Sequence, residues 1–249
     1  MFVQEFQIME TEVTVDQFDS FVKETGYVTT SEVIDENRYS CVITDYEINI
    51  ISHDVERNWK YSGFSREGDH PVVCVSYQDV QTYANWLSDI TGQNYRLPTE
   101  LEWDYAATPG TDTTFLWGER LVNQCNYANA ADLTPSSLGR SWTYKANCID
   151  DYWYTAPVGR YLPNKFGLYD MAGNVAEWVQ GCFVSQDTYK LHGGVNDEDK
   201  APINCKHHII KGGSWASVTL KLRPHIQGKF PNGLTYNTIG FRLVRDLLD

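Results

Sequence analysis

The chain has 249 residues, of which 42% are hydrophobic and 21% charged, so it can bury a substantial core within one domain. Its formal net charge of −13 and pI near 4.8 argue against nucleic-acid and anionic-membrane partners, because both require a basic patch. We therefore expect a single domain over residues 1–249 whose partner is a protein or a small neutral or cationic ligand. No apolar run reaches the roughly 18 residues of a membrane span, and the first thirty residues lack a signal-peptide core.

The aromatic and glycine content predicts a loop-rich α+β fold. Large rings, 16 Tyr, 8 Trp and 10 Phe, are expected to pack the core, while 18 Gly and 9 Pro shape long loops. Residues 2–9 alternate as a half-buried strand does, and residues 29–68 show no periodicity and are expected to form a long loop. Further strands are predicted at 70–75, from Ile209 onward, and at 239–244. Residues 181–206 are expected to form a second long irregular loop with a solvent-exposed tip.

Capping boxes mark the starts of three predicted helices. In each box a Ser or Thr caps the first turn and an acidic or amide side chain three residues later returns the hydrogen bond. The pairs are Thr14 with Gln17, Ser76 with Asp79, and Thr99 with Glu102, and Gly26 and Gly92 are expected to end the first two helices. We interpret these helices as scaffold, and Arg96, just ahead of the third, as a partner in a structural salt bridge.

The stretch GLYDMAGNVAEW at 167–178 follows neither helical nor strand periodicity and is rich in oxygen ligands. Ca²⁺ takes about six to eight oxygens from carboxylates and carbonyls, and a glycine allows a turn that directs carbonyls inward. Asp170 and Glu177 side chains with the carbonyls of Gly173 and Val175 would supply four ligands. The alternative is a tight turn in which the two carboxylates cap nearby amides.

Six cysteines leave fifteen pairings open. They are Cys41, Cys74, Cys125, Cys148, Cys182 and Cys205, with no CxxC metal pair. If they are paired, an extracytoplasmic or surface-displayed location is favoured; six reduced, buried thiols would instead indicate the cytoplasm.

Motifs of known enzymes are absent from the sequence. The chain lacks a GxSxG elbow, an HExxH pair and a phosphate loop. Each of its six histidines is interpreted as a surface or core residue, and His207 and His208 are adjacent on a predicted strand, so they face opposite sides. The six are His53, His70, His192, His207, His208 and His225.

Five motifs in order resemble the formylglycine-generating enzyme, or sulfatase-modifying factor, family. They are RLPTELEWDYAA at 96–107, TAPVGRYLPNKFGLYD at 155–170, GLYDMAGNVAEW at 167–178, KGGSW at 211–215 and IGFRLVRD at 239–246. The resemblance implies a C-type-lectin-like α+β fold that is loop-rich and held by Ca²⁺, with few short helices and small antiparallel sheets.

The same resemblance implies details that the residues alone leave open. Relatives outside the cytoplasm carry cysteines at similar places, which favours sequential pairing: Cys41 with Cys74, Cys125 with Cys148, and Cys182 with Cys205. A second calcium site is implied at Asn126, Tyr127, Asp150 and Tyr152, although such clusters in other proteins are usually turns.

The catalytic residues of the family are replaced here. Its oxidases bind Cu(I) through two cysteines after the GGS motif, and the matching positions are Ser217 and Leu222. Neither side chain is a soft ligand, so copper and formylglycine formation are not expected. Another branch uses three histidines with iron, partly from an added helical domain for which this chain has no counterpart.

The segment 215–238 lies between two firm motifs and is mixed in composition, and its placement also resembles the variable proteins of diversity-generating retroelements. Those proteins use the same lectin-like fold as a receptor-binding surface. We expect the ligand-binding residues here; they are Trp215, Ser217, Thr219, Lys221, His225, Gln227, Lys229, Phe230, Thr235, Tyr236 and Asn237.

Three functions compete at this point. The first is a non-catalytic, calcium-stabilised ligand-binding or display domain. The second is an oxidoreductase of the same superfamily that works without the cysteine pair, as siderophore-tailoring members do. The third is a structural or regulatory module. Metal content separates them, because calcium alone favours binding while stoichiometric iron or copper favours an enzyme.

Overall fold

The computed structural model describes residues 5–33, 40–45, 50–52, 57–110, 113–136, 141–183 and 205–247. Short helices and small sheets are joined by long irregular segments, as the α+β prediction required. The helices are α1 (Val15–Thr25), α2 (Tyr77–Thr91), α3 (Glu100–Ala107) and the single turn α4 (Gln124–Tyr127), with 3₁₀ turns at Thr30–Glu32, Leu121–Asn123 and Thr219–Leu222. The strands are β1 (Phe6–Ile8), β2 (Cys41–Asp45), β3 (Ile50–Ser52), β4 (Tyr95–Arg96), β5 (Ala176–Cys182), β6 (His207–Lys211), β7 (Gly228–Pro231), β8 (Thr235–Tyr236), β9 (Ile239–Gly240) and β10 (Val244–Asp246).

All three predicted capping boxes are present. In α1 the Thr14 hydroxyl accepts from the Gln17 N–H at 3.3 Å, and the Gln17 side chain accepts from the Thr14 N–H at 2.9 Å. The same reciprocal bonds open α2 and α3, and Gly26 and Gly92 end α1 and α2 in the left-handed conformation. These local signals suffice to position the helices because each satisfies backbone groups that would otherwise lack partners.

Three small sheets form, with strand orders β1-β10-β4, β3-β2-β8 and β7-β6-β5-β9. The prediction of antiparallel sheets is only partly right, because β2 pairs with β8 and β5 pairs with β9 in parallel. Each parallel contact joins segments far apart in the chain, a relation that local sequence patterns do not reveal. The β5–β9 contact brings the 167–178 turn beside the C-terminal motif.

The main core lies between α1, α2 and the four-stranded sheet. Phe18 stacks on Tyr83 with ring centroids 5.6 Å apart, and Phe241 meets Tyr83 edge-on at 5.4 Å. Trp178 and Trp59 are fully buried at its margins. The aromatic-rich composition therefore does pack the interior.

Several strand predictions need correction. Residues 70–75 contribute only a bridge from Pro71 to Thr14, and Cys74 turns at φ 64°, which ends extended pairing. The predicted closing strand 239–244 is split into β9 and β10. Within the predicted loop 29–68, β2 and β3 pair antiparallel, Trp59 is buried and Tyr61 is 66% exposed. Residues 184–204, which hold most of the second predicted excursion, lie outside the described residues, as do His53 and His192.

The cysteines are paired in sequence, as predicted. The bonds are Cys41–Cys74, Cys125–Cys148 and Cys182–Cys205, and they close loops with sequence separations of 33, 23 and 23. On the loop-entropy model, each stabilises the fold by about 3 kcal/mol. The disulfide bonds therefore restrain irregular segments in which few residues take part in strand pairing.

Candidate functional site

A buried ion pair lies at the end of the 167–178 turn. The Arg242 guanidinium donates to both Glu177 oxygens, at 2.8 to 3.0 Å, and the Trp103 indole N–H donates to Oε2 of Glu177 at 2.7 Å. Arg242 also donates to the Tyr169 carbonyl at 2.8 Å. The Glu177 carboxylate thus has a fixed cationic partner from the C-terminal motif.

Two further buried carboxyl groups accompany this pair. Glu12 accepts from the Asn174 side chain at 2.8 Å and from the Val175 N–H at 3.1 Å. Asp170 accepts from the Gly159 N–H at 2.7 Å through Oδ2, and its buried Oδ1 has no hydrogen-bond partner among the residues that the structure describes. Burial, reinforced by the neighbouring carboxylates, raises the pKa of Glu12, and burial likewise raises the pKa of Asp170. Three acids therefore share one guanidinium.

The turn itself is shaped by close backbone contact. Gly173 has φ 80°, and a Cβ atom there would lie 2.2 Å from the Asn129 carbonyl oxygen. Asn174, at φ 52°, donates its N–H to the same carbonyl at 2.8 Å, and the Asn129 amide donates to Oδ1 of Asn174 at 3.2 Å. Of the four predicted ligands, Asp170, Gly173 and Val175 lie in this turn, while Glu177 begins the sheet with Arg242 as partner.

A second acidic pair is formed by Asp132 and Asp150. Asp150 accepts from the Ala130 and Tyr152 N–H groups, both at 2.9 Å, and its own N–H donates to Asp132 at 2.5 Å. Carboxylate oxygens of both residues lie within 4.8 Å of each other, beside the disulfide-bonded Cys125. Burial, with the Asp132 charge as a smaller contribution, raises the pKa of Asp150 to about 7.

The structure brings a further carboxylate to this second predicted site. Asn126 and Tyr127 lie in α4, and the Asn126 carbonyl accepts from the Leu162 N–H at 2.8 Å. The group brought to Asp150 is Asp132, which sequence reasoning missed. The ADLT stretch that contains it reads as an ordinary turn, so only the fold identifies it as the neighbour of Asp150.

The positions of the family's cysteine pair converge in space. A Cβ atom on Gly213 would lie 2.8 Å from Leu222 and 3.3 Å from Ser217. Leu222 is fully buried among Phe115, Trp117 and Ala172. The Ser217 hydroxyl accepts from the Ser214 N–H at 3.0 Å. The pocket of the cysteine pair is thus filled by an alkyl group and a hydroxyl that caps a turn.

The residues of the predicted binding segment differ in their exposure to solvent, and some of them are buried. Trp215, Thr235 and Asn237 are no more than 2% exposed, so they are structural and not surface residues. The reason is that β8 pairs with β2, and the Trp215 indole donates to the Asn237 carbonyl at 3.2 Å. The residues left at the surface are Lys221, His225, Gln227 and Lys229, and those partly exposed are Ser217, Thr219, Phe230 and Tyr236.

Phe230 and Tyr236 are predicted to be exposed contact residues, but in the structure their side chains also take part in core packing. Their rings meet edge-on with centroids 4.6 Å apart, and both pack against the main core. Burial raises the pKa of Tyr236. Only part of each ring can meet a partner.

An open cleft adjoins the exposed part of the segment. It has a volume of about 620 Å³ and is lined by Thr108, Gly110, Thr113, Thr114, Arg223, His225 and Ile226. Such a volume lies within the range of small-molecule sites, roughly 300 to 1,000 Å³. The sequence-based prediction included His225 but not the opposite wall of Thr108, Gly110, Thr113 and Thr114, which lies more than a hundred residues away in the chain.

The small mixed sheets, the capped helices and the acidic turn define a loop-rich α+β domain with the fold of formylglycine-generating enzymes. The model of the sulfatase-modifying factor enzyme 1-like domain matches residues 1–247, and the chain belongs to that family. The formylglycine-generating enzyme of Streptomyces coelicolor is 31% identical over 265 residues, covering 97% of this chain and 78% of that protein. That of Mus musculus is 27% identical over 271 residues, covering 99% and 67%.

Solved structures agree with this assignment. PvdO from Pseudomonas aeruginosa superposes with a TM-score of 0.72 at 28% identity, covering 97% of this chain and 80% of that one. Treponema denticola variable protein 1 superposes with a TM-score of 0.65 at 21% identity, covering 97% and 84%, and shows a shared fold. No helix within the described ranges is long and apolar enough to cross a bilayer.

Proposed function

We propose that this protein is a non-catalytic, calcium-stabilised ligand-binding domain whose binding surface is the exposed part of residues 215–238. The observation that carries the proposal is the replacement at the cysteine-pair positions. Leu222 is buried in an apolar cluster and Ser217 caps a turn, so neither supplies the soft donors that Cu(I) requires. The fold is thereby retained without the family's copper ligands.

We propose calcium because the buried acidic groups around the 167–178 turn outnumber the buried cation that faces them. Three buried carboxyl groups, Glu12, Asp170 and Glu177, face a single guanidinium, and Oδ1 of Asp170 has no partner. A divalent cation would compensate the excess negative charge. We assign Asp170 as the carboxylate ligand, with the carbonyls of Gly173 and Val175; Glu177 remains with Arg242. Calcium would hold the irregular turn in place.

A second calcium position is proposed at Asp132 and Asp150. Their carboxylates lie together and are buried, and the raised pKa of Asp150 reflects the cost of ionising it without a cation. Tyr152 follows in the same turn, so its carbonyl is available from the same loop. Asn126 and Tyr127, which lie in α4, stay predicted ligands of this position.

The surface available for binding is made of Lys221, His225, Gln227 and Lys229 with the cleft beside them. Long polar side chains on a disulfide-restrained scaffold can be exchanged at little cost to the core, which suits a recognition surface. We propose on this basis that the segment is diversified, as in retroelement variable proteins. Three disulfides favour an oxidising compartment or surface display.

The first experiment tests the absence of catalysis. The purified protein is incubated with a cysteine-containing sulfatase peptide, copper and oxygen, and the peptide is examined by mass spectrometry. We expect no formylglycine and no loss of the cysteine thiol. Formylglycine above the level of a protein-free control would overturn the proposal and favour the oxidoreductase alternative, as would one equivalent of tightly bound iron or copper by elemental analysis.

The second experiment tests diversification. Gene copies and flanking DNA from related isolates are sequenced for a template repeat and a reverse transcriptase. Substitutions should concentrate at the exposed positions 221, 225, 227 and 229 and spare the buried positions 215, 222, 235 and 237. An even distribution over both sets would refute a diversified surface, because it would show no relation to exposure.

A further inference from the structure

The C-terminal part of this acidic protein carries the opposite charge. Residues 205–245 contain seven Lys and Arg side chains and no Asp or Glu, so the whole excess negative charge of the chain lies outside them. Two of the seven, Lys211 and Arg242, are buried in ion pairs with acids from other segments. The other five are exposed or partly exposed: Lys206, Lys221, Arg223, Lys229 and Arg245. Of these, Arg223 lines the cleft. This stretch therefore brings basic and no acidic side chains to the surface of an acidic protein.

Arg223 and His225 line the cleft without an acidic partner in the described part of the chain. Nε of Arg223 donates to the Leu220 carbonyl at 3.0 Å, which fixes one edge of the guanidinium, and no salt bridge of Arg223 exists among the described residues. His225 stands two residues further on and is exposed. A guanidinium held by one nitrogen keeps its terminal N–H groups for a second acceptor.

The described residues of the opposite wall carry no acidic side chain. Asp104, one helical turn before Thr108, pairs with buried Lys211 at 2.8 Å, and Glu119 accepts from the Thr114 N–H at 2.6 Å. The wall itself offers the residues Thr108, Gly110, Thr113 and Thr114. Ile226 adds apolar surface on the Arg223 side. The cleft therefore combines a cation, a histidine, hydroxyl-bearing residues and one apolar side chain.

We propose that the cleft binds a small organic anion, with its carboxylate, sulfate or phosphate group on the Arg223 guanidinium and its apolar part on Ile226. The guanidinium fork matches planar oxyanions through two parallel hydrogen bonds. This inference rests on the proposed binding function and gives its ligand class. It reverses the expectation drawn from net charge, because recognition depends on the local field and not on the chain total.

The experiment is an NMR titration of the ¹⁵N-labelled protein at constant ionic strength, using benzoate, inorganic phosphate, inorganic sulfate and uncharged benzyl alcohol as probes. Benzoate should shift the amides of Gly110, Thr113, His225 and Ile226 in a saturable manner, while benzyl alcohol should not. A saturable response to phosphate or sulfate equal to that of benzoate would assign the site to oxyanions in general; a benzoate response alone would assign it to carboxylates.

Variants test the role of Arg223. Arg223→Gln should weaken benzoate binding about 10- to 100-fold, the usual effect of losing a charged hydrogen-bond pair. Arg223→Lys should retain part of the affinity, because the charge stays and the fork is lost. The exposed Arg160 gives a matched control, and Arg160→Gln should bind like the parent.

Three outcomes would overturn the inference: no saturable shifts with any anion, equal binding of benzyl alcohol, or unchanged binding by Arg223→Gln with a native-like spectrum. None of these outcomes tests the absence of catalysis, which is measured on the peptide product, or diversification, which is measured by sequencing gene copies. Conversely, formylglycine formation with intact benzoate binding would refute the non-catalytic proposal and leave the anion site standing.

Discussion

Replacing Asp170 and Glu177 one at a time should separate a calcium ligand from an ion-pair partner. The two carboxylates belong to one buried turn, and the sequence alone assigns both to calcium. In the structure, Glu177 has Arg242 and Trp103, whereas Asp170 has one unpartnered oxygen. The informative variants are Asp170→Asn and Glu177→Gln, because both keep the size of the side chain while they remove its charge and replace one acceptor oxygen by an NH2 donor.

The two variants should lose different amounts of stability, and for different reasons. Glu177→Gln leaves the fully buried Arg242 without its closest anion, and breaking such a pair costs roughly 3 to 5 kcal/mol, on the order of 10 °C in Tm for a chain of this length. This loss should be the same with calcium or chelator. Asp170→Asn should cost little in chelator, since its amide oxygen can still accept from Gly159 and a carboxyl with a raised pKa no longer needs ionising.

Calcium should act on the parent and on Glu177→Gln but not on Asp170→Asn. At about 100 times the dissociation constant, calcium stabilises the parent by about 2.7 kcal/mol, and this increment should vanish in Asp170→Asn. The assay is urea unfolding followed by tryptophan fluorescence, with calcium or chelator. If chelator lowers the stability of Asp170→Asn as much as that of the parent, or if Glu177→Gln costs less than about 1 kcal/mol, the reasoning fails.

Three further predictions concern other parts of the fold. Gly173→Ala should destabilise by more than about 3 kcal/mol, while Gly233→Ala, at φ 83° with nothing within 4 Å of its Cβ, should cost only about 1 kcal/mol; equal losses would refute the close-contact explanation. In chelator, Asp150 should make stability fall by up to about 4 kcal/mol as pH rises from about 4 to 7, because its folded-state pKa is near 7 against an ordinary 3.8 and it binds its proton more tightly when folded. Asp150→Asn should remove this contribution and leave those of Glu12 and Asp170, whose pKa values are also raised; an unchanged slope in that variant would refute the assignment. Phe230→Ala with Tyr236→Ala should lower stability by about 3 kcal/mol or more, measured by urea unfolding, and a neutral effect would restore them as purely surface residues.

The sequence predicts well those features that depend on residues close to one another in the chain. The capping boxes at Thr14, Ser76 and Thr99 are local, and their helices begin where predicted. The pairing of cysteines and the family fold followed from motifs that resemble known proteins. The predicted strand at 70–75 was wrong because a short continuous run of apolar residues also fits a buried irregular segment, and the left-handed turn at Cys74 leaves no mark on composition.

The functional site was predictable only in part, because its decisive contacts are long-range. Arg242 lies 65 residues from Glu177 in sequence, and Glu12 lies 162 residues from Asn174, so neither partner could be chosen by spacing. Exposure in residues 215–238 was likewise set elsewhere, since pairing of β8 with β2 buries Thr235. The flanking motifs identified the segment, and the fold decides which of its residues are exposed.

The pairing of β1 with β10 has a consequence for how this domain can be joined to others. Phe6 lies opposite Asp246, so the first residue of β1 and the last residue of β10 are neighbours across one strand pair. Segments attached before Phe6 and after Asp246 therefore start side by side, and a short peptide link between these two positions would permit a circular permutant opened elsewhere. The same proximity would allow the domain to be inserted into a loop of a host protein.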